Sequence, residues 1–151
     1  MAGHAALWSR NATQARRALA SLDGMQIGGR LFDADRRAIQ AGIAALEGDS
    51  GEAAGLFAQA TRALRELGLP FALALTDLDV VATLGTGESP GRAAADEARD
   101  IITRLGATSL LVSLEGLIAG EGSPARTKKV AGPAARTAVT SSAGQSTSST
   151  T

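Results

Sequence analysis

Cysteine is absent from this 151-residue chain, and aromatic residues are scarce. Without cysteine the chain forms no disulfide and no thiolate metal site, and it has no Cys nucleophile. Aromatic residues make up 3% of the chain against 44% for hydrophobic residues overall, so the core must consist of Ala, Leu and Ile. Such small aliphatic side chains favour closely packed helices, because β-sandwiches draw on more aromatic and β-branched residues.

Long hydrophobic runs and an excess of positive charge are also missing. No apolar run approaches the roughly 20 residues needed to span a bilayer, and residues 1–10 lack the basic and apolar regions of a signal peptide. Up to Gly120, 11 Arg stand against 14 acidic residues, a balance of −3. This mildly acidic body has no charge that would attract nucleic acid or an anionic membrane. We therefore expect a cytoplasmic protein without a membrane or nucleic-acid partner.

Apolar residues recur at the spacing of a helix face through most of the chain. No segment shows the strict alternation of a half-buried strand. The pattern therefore predicts an all-α fold of about six antiparallel helices, joined by connections of ordinary length. The apolar stripes cover residues 8–22, 38–46, 53–67, 71–82, 94–105 and 110–117.

Capping and stop signals mark the ends of these predicted helices. Asp49 begins a D-x-x-E sequence, which has the spacing of a capping box. Gly68 followed by Pro70 is a typical helix stop. Ser89 is predicted to be an N-cap, with Pro90 at the first helical position.

The C-terminal part of the chain has a different composition. Apolar periodicity stops, Pro124 and Pro133 appear, and residues 140–151 are nearly all Ser and Thr. Such a segment cannot bury enough apolar surface to offset its chain entropy. The composition predicts one helical domain over residues 1–120 and a disordered tail over residues 121–151.

An internal repeat links the predicted helices. The pair Leu67-Gly68 recurs as Leu105-Gly106, an offset of 38 residues. This period lies between the 34 residues of TPR repeats and the roughly 40 of HEAT repeats. It indicates stacked helical hairpins, in which each pair of helices needs its neighbours to complete the core.

Residues 46–60 resemble the second half of a TPR motif. In that motif a small residue begins the second helix, an aromatic residue follows four positions later, and Ala follows three positions beyond it. Ala53, Phe57 and Ala60 have this spacing, whereas Arg37 stands where the first half of the motif has Trp. The chain thus resembles TPR-like repeats rather than a consensus TPR, and the resemblance implies stacked TPR-like hairpins, a fragment of an α-solenoid.

A narrower resemblance covers residues 31–119. It is carried by the strings ADRRAIQAGIAALEG, GLPFALALTDLDVVATLG and ARDIITRLGATSLL. Together they resemble the C-terminal repeat region of large bacterial regulators that join a class III adenylate/guanylate cyclase domain, an AAA-type ATPase and a helical repeat tail. The resemblance implies a role in signal transduction. The chain contains neither G-x-x-x-x-G-K-[ST] nor a cyclase-type aspartate pair, so neither activity is expected of it.

Few residues offer catalytic or metal-binding chemistry. His4 is the only histidine, and we expect it in a frayed, solvated N-terminus. Asp77 and Asp79 lie two positions apart on a predicted helix, so their side chains point about 200° apart and do not converge. We expect Asp33 and Asp35 to favour the positive N-terminal end of the second helix. No acid–base pair or metal site is predicted from these residues.

Two further motifs are better explained by structure than by function. Gly85, Gly87 and Gly91 have the wrong spacing for a phosphate loop and follow a helix instead of a strand, so we expect an inter-helix turn. The Asn11-Ala12-Thr13 triplet matches a glycosylation signal. It lies inside a predicted helix in a chain without an export signal, so we expect no modification there.

Trp8 and a basic patch in the tail are the remaining candidates for partner binding. Tryptophan is common at binding hot spots, but the position of Trp8 in an apolar stripe favours packing in the core or between repeats. The basic patch has no aromatic residues to interleave with its charges, so we interpret it as a solvated linker. The patch consists of Arg126, Lys128, Lys129 and Arg136.

The residues therefore predict no catalytic, cofactor or metal site. An enzyme would need a nucleophile–base pair or a converging acid–base pair, and the sequence offers neither. We interpret the chain as a non-catalytic helical-repeat scaffold for protein–protein or interdomain interaction. The alternative is a structural fragment of a longer solenoid, with no independent function and a tendency to self-associate.

Overall fold

The computed structural model describes residues 2–121, and all regular structure in that range is α-helical. The predicted all-α class is confirmed. The tail predicted for residues 121–151 lies outside the described residues, except that Glu121 ends the last helix. The described helices are α1 (Ala2–Trp8), α2 (Ala12–Gly24), α3 (Arg30–Leu46), α4 (Ser50–Glu66), α5 (Pro70–Leu84), α6 (Ser89–Leu105) and α7 (Thr108–Glu121).

The first predicted helix is in fact two helices, so the described part of the chain has seven instead of six. The apolar spacing runs across a break in which Arg10 adopts a left-handed backbone conformation, with φ of 54°. Asn11 is the N-cap of α2, and its side chain accepts a hydrogen bond from the backbone N–H of Gln14. Asn11 was expected inside a helix. Its capping chemistry overrides the periodicity, because an Asn side chain satisfies an otherwise unpaired amide.

The two helix starts predicted from capping residues are correct to within a residue, whereas α3 begins at Arg30, well before its predicted apolar stripe. Asp49 is the N-cap of α4, and its carboxylate accepts a hydrogen bond from the Glu52 amide at 3.0 Å. The prediction for α6 is wrong in one detail. Ser89 is the first helical residue and Glu88 is the N-cap, with no side-chain hydrogen bond. Proline near the helix start fixes the backbone there without a capping side chain.

The 38-residue offset in the sequence matches equivalent helix ends. Leu46 ends α3 and Leu84 ends α5. Gly68 follows the C-cap of α4 and Gly106 is the C-cap of α6, and both have φ of 66°. Glycine adopts this left-handed conformation without the steric cost that other residues meet.

Helix α5 lies at the centre of the fold. It contacts α1, α3, α4, α6 and α7, and all of residues 73–83 are buried. A helix that is apolar all round is typical of such a central position. Although α5 is strongly apolar, neither it nor any other helix of residues 2–121 is long and apolar enough to cross a membrane.

The described residues form two hydrophobic clusters, and the larger one contains most of the buried apolar residues of α5. The larger is built from α3 to α7 and includes Phe57 and Leu78. The smaller joins α1, α2 and α3 around Leu7 and Ile39. Trp8 is half-buried and packs against both clusters, so its interpretation as a packing residue is confirmed. The central position of α5 also carries two acidic side chains, Asp77 and Asp79, into the interior.

Candidate functional site

His4 is buried, with 7% of its surface exposed. Its Nδ1 atom lies 2.6 Å from Oδ2 of Asp79, 75 residues away in the sequence. The expectation of a solvated N-terminus is therefore wrong. The reason is that α1 packs against α5 and α3, which covers the imidazole.

Asp79 of α5 also binds a second side chain of α1, that of Trp8. Trp8 donates its indole N–H to Oδ1 of Asp79 at 2.8 Å. Just beyond α1, Arg10 donates to the backbone carbonyl of Ala82 at 2.9 Å. Both carboxylate oxygens of Asp79 thus have partners, as buried polar groups require. The three hydrogen bonds attach the N-terminal helix to α5.

The electrostatics of this pair favour a charged imidazole. Burial alone would lower the pKa of His4, but the hydrogen bond to Asp79 and the negative charge of Asp79 outweigh it. The net effect raises the pKa of His4 above its ordinary value of 6.5, with a smaller contribution from the half-buried Asp35. A carboxylate beside an imidazole acts in this way because it stabilises the protonated ring.

A His–Asp pair can also orient a general base for a nucleophile. The hydroxyl nearest in sequence, that of Ser9, instead donates to the carbonyls of Ala5 and Ala6 in the preceding helix α1. Asp79 is shared with Trp8, which holds the carboxylate against α1. The arrangement is suited to fastening α1 onto α5.

A second polar site lies on another side of α5. A cleft of about 270 Å³ opens between α4 and α6, with α5 as its floor. The start of α4 and the start of α6 lie near the end of α5, since Ala54, Pro90 and Leu84 line the cleft together. Exposed residues form the rim, and buried ones form the floor. The lining residues are Ala54, Phe57, Ala58, Thr61, Arg65, Asp77, Val80, Leu84, Pro90, Ala93, Ala94 and Glu97.

Asp77 lies on the floor of this cleft and is 1% exposed. Its Oδ2 atom has no hydrogen-bond partner among the described residues. Burial raises the pKa of Asp77 to about 8, helped by the negative charges of Glu97 and Asp79 and opposed by Arg65. An unpaired buried carboxyl is costly, because its charged form loses hydration without compensation. Asp77 is therefore the residue whose position packing alone does not explain.

Arg65 and Glu97 join α4 to α6 at the rim of the cleft. Arg65 donates from Nε to Oε1 of Glu97 at 3.0 Å, and a second guanidinium nitrogen donates to the other carboxylate oxygen. This two-bond geometry is the strong form of an Arg–carboxylate pair. The guanidinium is thus bound to Glu97, so Arg65 only partly offsets the charge of Asp77.

The divergence predicted for Asp77 and Asp79 is confirmed. Asp79 reaches α1 through His4, whereas Asp77 lines the cleft between α4 and α6. Asp33 lies in the first turn of α3, as predicted, whereas Asp35 lies beyond that turn. Among residues 2–121, no group of three or more His, Cys, Asp or Glu side chains is arranged to hold a metal ion.

Gly91, near the turn between α5 and α6, has a packing role. Residues 85–88 connect α5 to α6, as predicted for an inter-helix turn. A β-carbon on Gly91 would overlap the carbonyl oxygen of Gly85, so this position needs glycine for the close approach. The basic patch in the tail lies outside the described residues.

Sequence reasoning missed both polar sites, although one signal for them was present. Asp77 and Asp79 are the only charged residues between Pro70 and Leu84, a stretch otherwise apolar or hydroxyl-bearing. Charges in an apolar helix are rarely buried without a partner or a function. The partners could not be read from the sequence, because they come from helices far along the chain.

No family model, curated protein or solved structure matches this chain. The resemblance to TPR-like repeats and to cyclase–ATPase regulators therefore stays a prediction. Function has to be inferred from the geometry of the chain itself.

Proposed function

We propose that the chain is a non-catalytic helical-repeat scaffold of the TPR-like, α-solenoid type, which binds a protein or another domain. The observation that carries this proposal is the incomplete burial of the apolar residues of α7, since Leu111, Leu117 and Ile118 are only partly buried against the core. Leu114 is buried against the rest of the fold, yet Val112 on the same helix is 73% exposed. A group of incompletely covered apolar residues on one helix is a candidate contact for another protein surface.

The matching helix ends of α3–α4 and α5–α6 support the repeat part of this proposal. Each of the two pairs packs extensively within itself, and α3, α5 and α7 also contact one another in series. Contacts between successive pairs are how a helical repeat builds its core. Helix α7 would then begin a further pair, and its uncovered side is where a neighbouring surface would pack.

The non-catalytic part is supported by the way the polar groups are used. His4 and Asp79 are bound to each other inside the protein, and Asp77 points away from them into a separate cleft. Catalysis by acid and base needs two such groups to converge on one substrate position. A cytoplasmic signalling role within a cyclase–ATPase regulator is the corresponding biological proposal, and it rests on the sequence resemblance alone.

The same surface of α7 favours one alternative. In a structural fragment of a longer solenoid, a further repeat would cover Val112, and the isolated chain would have no partner other than itself. The two proposals differ in the behaviour of the full chain in solution. A scaffold is a monomer that unfolds cooperatively, whereas a fragment self-associates through α7.

A photo-crosslinking residue at position 112, used in the native host, tests the scaffold directly. The matched control carries the same residue at position 62, because Arg62 is exposed on α4, a helix that does not pack closely against α7. We expect one protein to be captured at position 112 and not at position 62. That protein, once purified, should bind the wild-type chain at least tenfold more tightly than a Val112→Asp variant, with an Arg62→Ala variant unaffected.

Sedimentation velocity over a wide concentration range separates the alternatives. A monomer together with the captured partner supports the scaffold. Self-association that Val112→Asp abolishes, with no partner captured, would overturn the scaffold in favour of the fragment. A Val112→Ser variant replaces the apolar side chain by a polar but uncharged one. It checks that the effect of Val112→Asp on binding or self-association comes from the lost apolar contact rather than from charge repulsion.

A further inference from the structure

The cleft between α4 and α6 combines two features that seldom occur together by chance. Its walls are largely apolar, with Phe57, Val80 and Ala94 among them. Its floor holds a carboxyl group, that of Asp77, with an oxygen that no described residue hydrogen-bonds. Natural proteins leave few buried polar atoms unpaired, so such an atom needs an explanation. An apolar cleft with one well-placed polar group is the usual form of a small-molecule site.

The charges around the cleft select a cation. From α5, Asp77 faces into it, and from α6 Glu97 lines it as well. Arg65 of α4 is the basic lining residue, and Glu97 neutralises it through two hydrogen bonds. Asp79, also on α5, faces α1 and is bound by His4 and Trp8. An ionised Asp77 therefore leaves the cleft with one uncompensated negative charge, which repels anions.

The number of available ligand atoms limits the kind of cation. Divalent metals need several oxygen ligands, and no group of three acidic or His side chains is arranged for one in residues 2–121. A guanidinium binds carboxylates best through two oxygens at once, and the Asp77 side chain, which is 1% exposed, presents too little surface for that planar group. A compact ammonium group needs a single strong acceptor, and the aromatic ring of Phe57 in the wall favours a cation further.

We propose that this cleft binds a small organic ammonium ion, with its charged nitrogen donating to Asp77 and its apolar body lying between α4 and α6. The volume of about 270 Å³ accommodates a ring or a short alkyl chain. The site goes beyond the scaffold function and is independent of it, because a protein partner would cover α7 on another part of the surface.

The pH dependence of binding gives the site a specific signature. Burial, reinforced by Glu97 and Asp79 and opposed by Arg65, raises the pKa of Asp77 to about 8. Below that pH an ammonium ion must displace the proton of Asp77 before it binds. Affinity should therefore rise about tenfold per pH unit between pH 6 and 7.5 and level off above pH 8.

Titration of the full chain with benzylammonium tests the proposal, with neutral benzyl alcohol as the matched probe. Methyl resonances of Thr61, Val80 and Ala94 report on the cleft by NMR. We expect a Kd of about 1 mM for benzylammonium at pH 8, which suits a ligand of about eight non-hydrogen atoms. The alcohol should bind at least tenfold more weakly and show no pH dependence.

Two variants complete the test. Asp77→Asn should weaken benzylammonium binding at least tenfold and remove its pH dependence. Asp100→Asn is the control, because Asp100 is an exposed carboxylate on α6 outside the cleft lining. It should leave the affinity and its pH dependence unchanged. The proposal is overturned if the alcohol binds as tightly as the ammonium ion. It is also overturned if the wild-type methyl resonances do not move at pH 8 when benzylammonium is present at 20 times the expected Kd. This outcome does not depend on whether Asp77→Asn folds.

Discussion

The imidazole of His4 and the carboxylate of Asp79 lie 2.6 Å apart between Nδ1 and Oδ2 and join residues 75 positions apart in the sequence. Helix α1 has only seven residues, far fewer than a helix needs to persist alone in water. Its position therefore depends on tertiary contacts. The bonds from His4 and Trp8 to one buried carboxylate supply the directional part of those contacts.

Replacement of His4 by Ala should destabilise the protein by about 3 kcal/mol, because it leaves a buried carboxylate with one partner fewer. Urea unfolding followed by circular dichroism measures this loss. The matched control is Asp100→Ala, which breaks an exposed ion pair with Arg104 and should change stability by about 0.5 kcal/mol or less. Equal effects of the two variants would show that the buried pair has no special role.

The contribution of His4 should also depend on pH, with a definite sign. The pKa of His4 is raised in the folded protein above its ordinary value of 6.5, because Asp79 favours the charged ring against the effect of burial. Such a group stabilises the fold fully below the unfolded pKa, and the contribution is lost as pH rises through the folded pKa. The stability difference between wild type and His4→Ala should therefore be largest at pH 5.5 and shrink above pH 6.5. A difference that stays constant to pH 9 would contradict this account.

The helix boundaries could be predicted from the sequence because they depend on local chemistry. Asp49, Gly68 and Gly106 each act within one turn of the chain, through a capping hydrogen bond or a left-handed backbone. The directions of Asp77 and Asp79 also followed from helix geometry alone. The groups around these two side chains did not follow, because His4 and Glu97 come from other helices and the sequence does not state which helices pack together.

The break between α1 and α2 is a helix boundary that apolar periodicity did not predict. Apolar spacing of four and three continued from Trp8 to Leu19 across residues that are not helical, so periodicity alone joined two helices. Asn11 was the available correction, since Asn is a favoured N-cap. Once that break is missed, Trp8 is assigned to the face of the wrong helix, and the burial of His4 cannot be foreseen.

Replacement of Asp77 by Asn should stabilise the protein, in contrast to the usual effect of a core substitution. In the unfolded chain this carboxyl ionises near pH 3.8, whereas burial raises its pKa to about 8 in the fold. Stability is therefore lost as pH rises between these values, at up to about 1.4 kcal/mol per pH unit. We expect Asn to add about 3 kcal/mol at pH 8 and little at pH 4.

Chemical denaturation at both pH values measures this gain. Asp96→Asn is the control, because Asp96 is an exposed carboxylate that pairs with Arg99 at the surface, and it should have little effect at either pH. A destabilised Asp77→Asn at pH 8 would mean that the carboxylate has a partner in the fold. If Asp77→Asn is more stable and also fails to bind the ammonium ion, Asp77 lowers the stability of the fold in order to provide the binding site.

Two glycine-to-alanine substitutions in helices should have opposite signs. Gly91 is buried in the first turn of α6, where a β-carbon would overlap the carbonyl oxygen of Gly85. That neighbour is backbone and cannot rotate away, so Gly91→Ala should cost about 1–3 kcal/mol. Gly55 lies on the exposed side of α4 with no other atom within 4 Å of its β-position. Gly55→Ala should therefore add about 0.5–1 kcal/mol through better helix propensity. Thermal melts of both variants measure these changes in stability. A higher melting temperature for Gly91→Ala would mean that the α5–α6 turn moves aside freely. The cleft that this turn helps to close would then have no fixed shape.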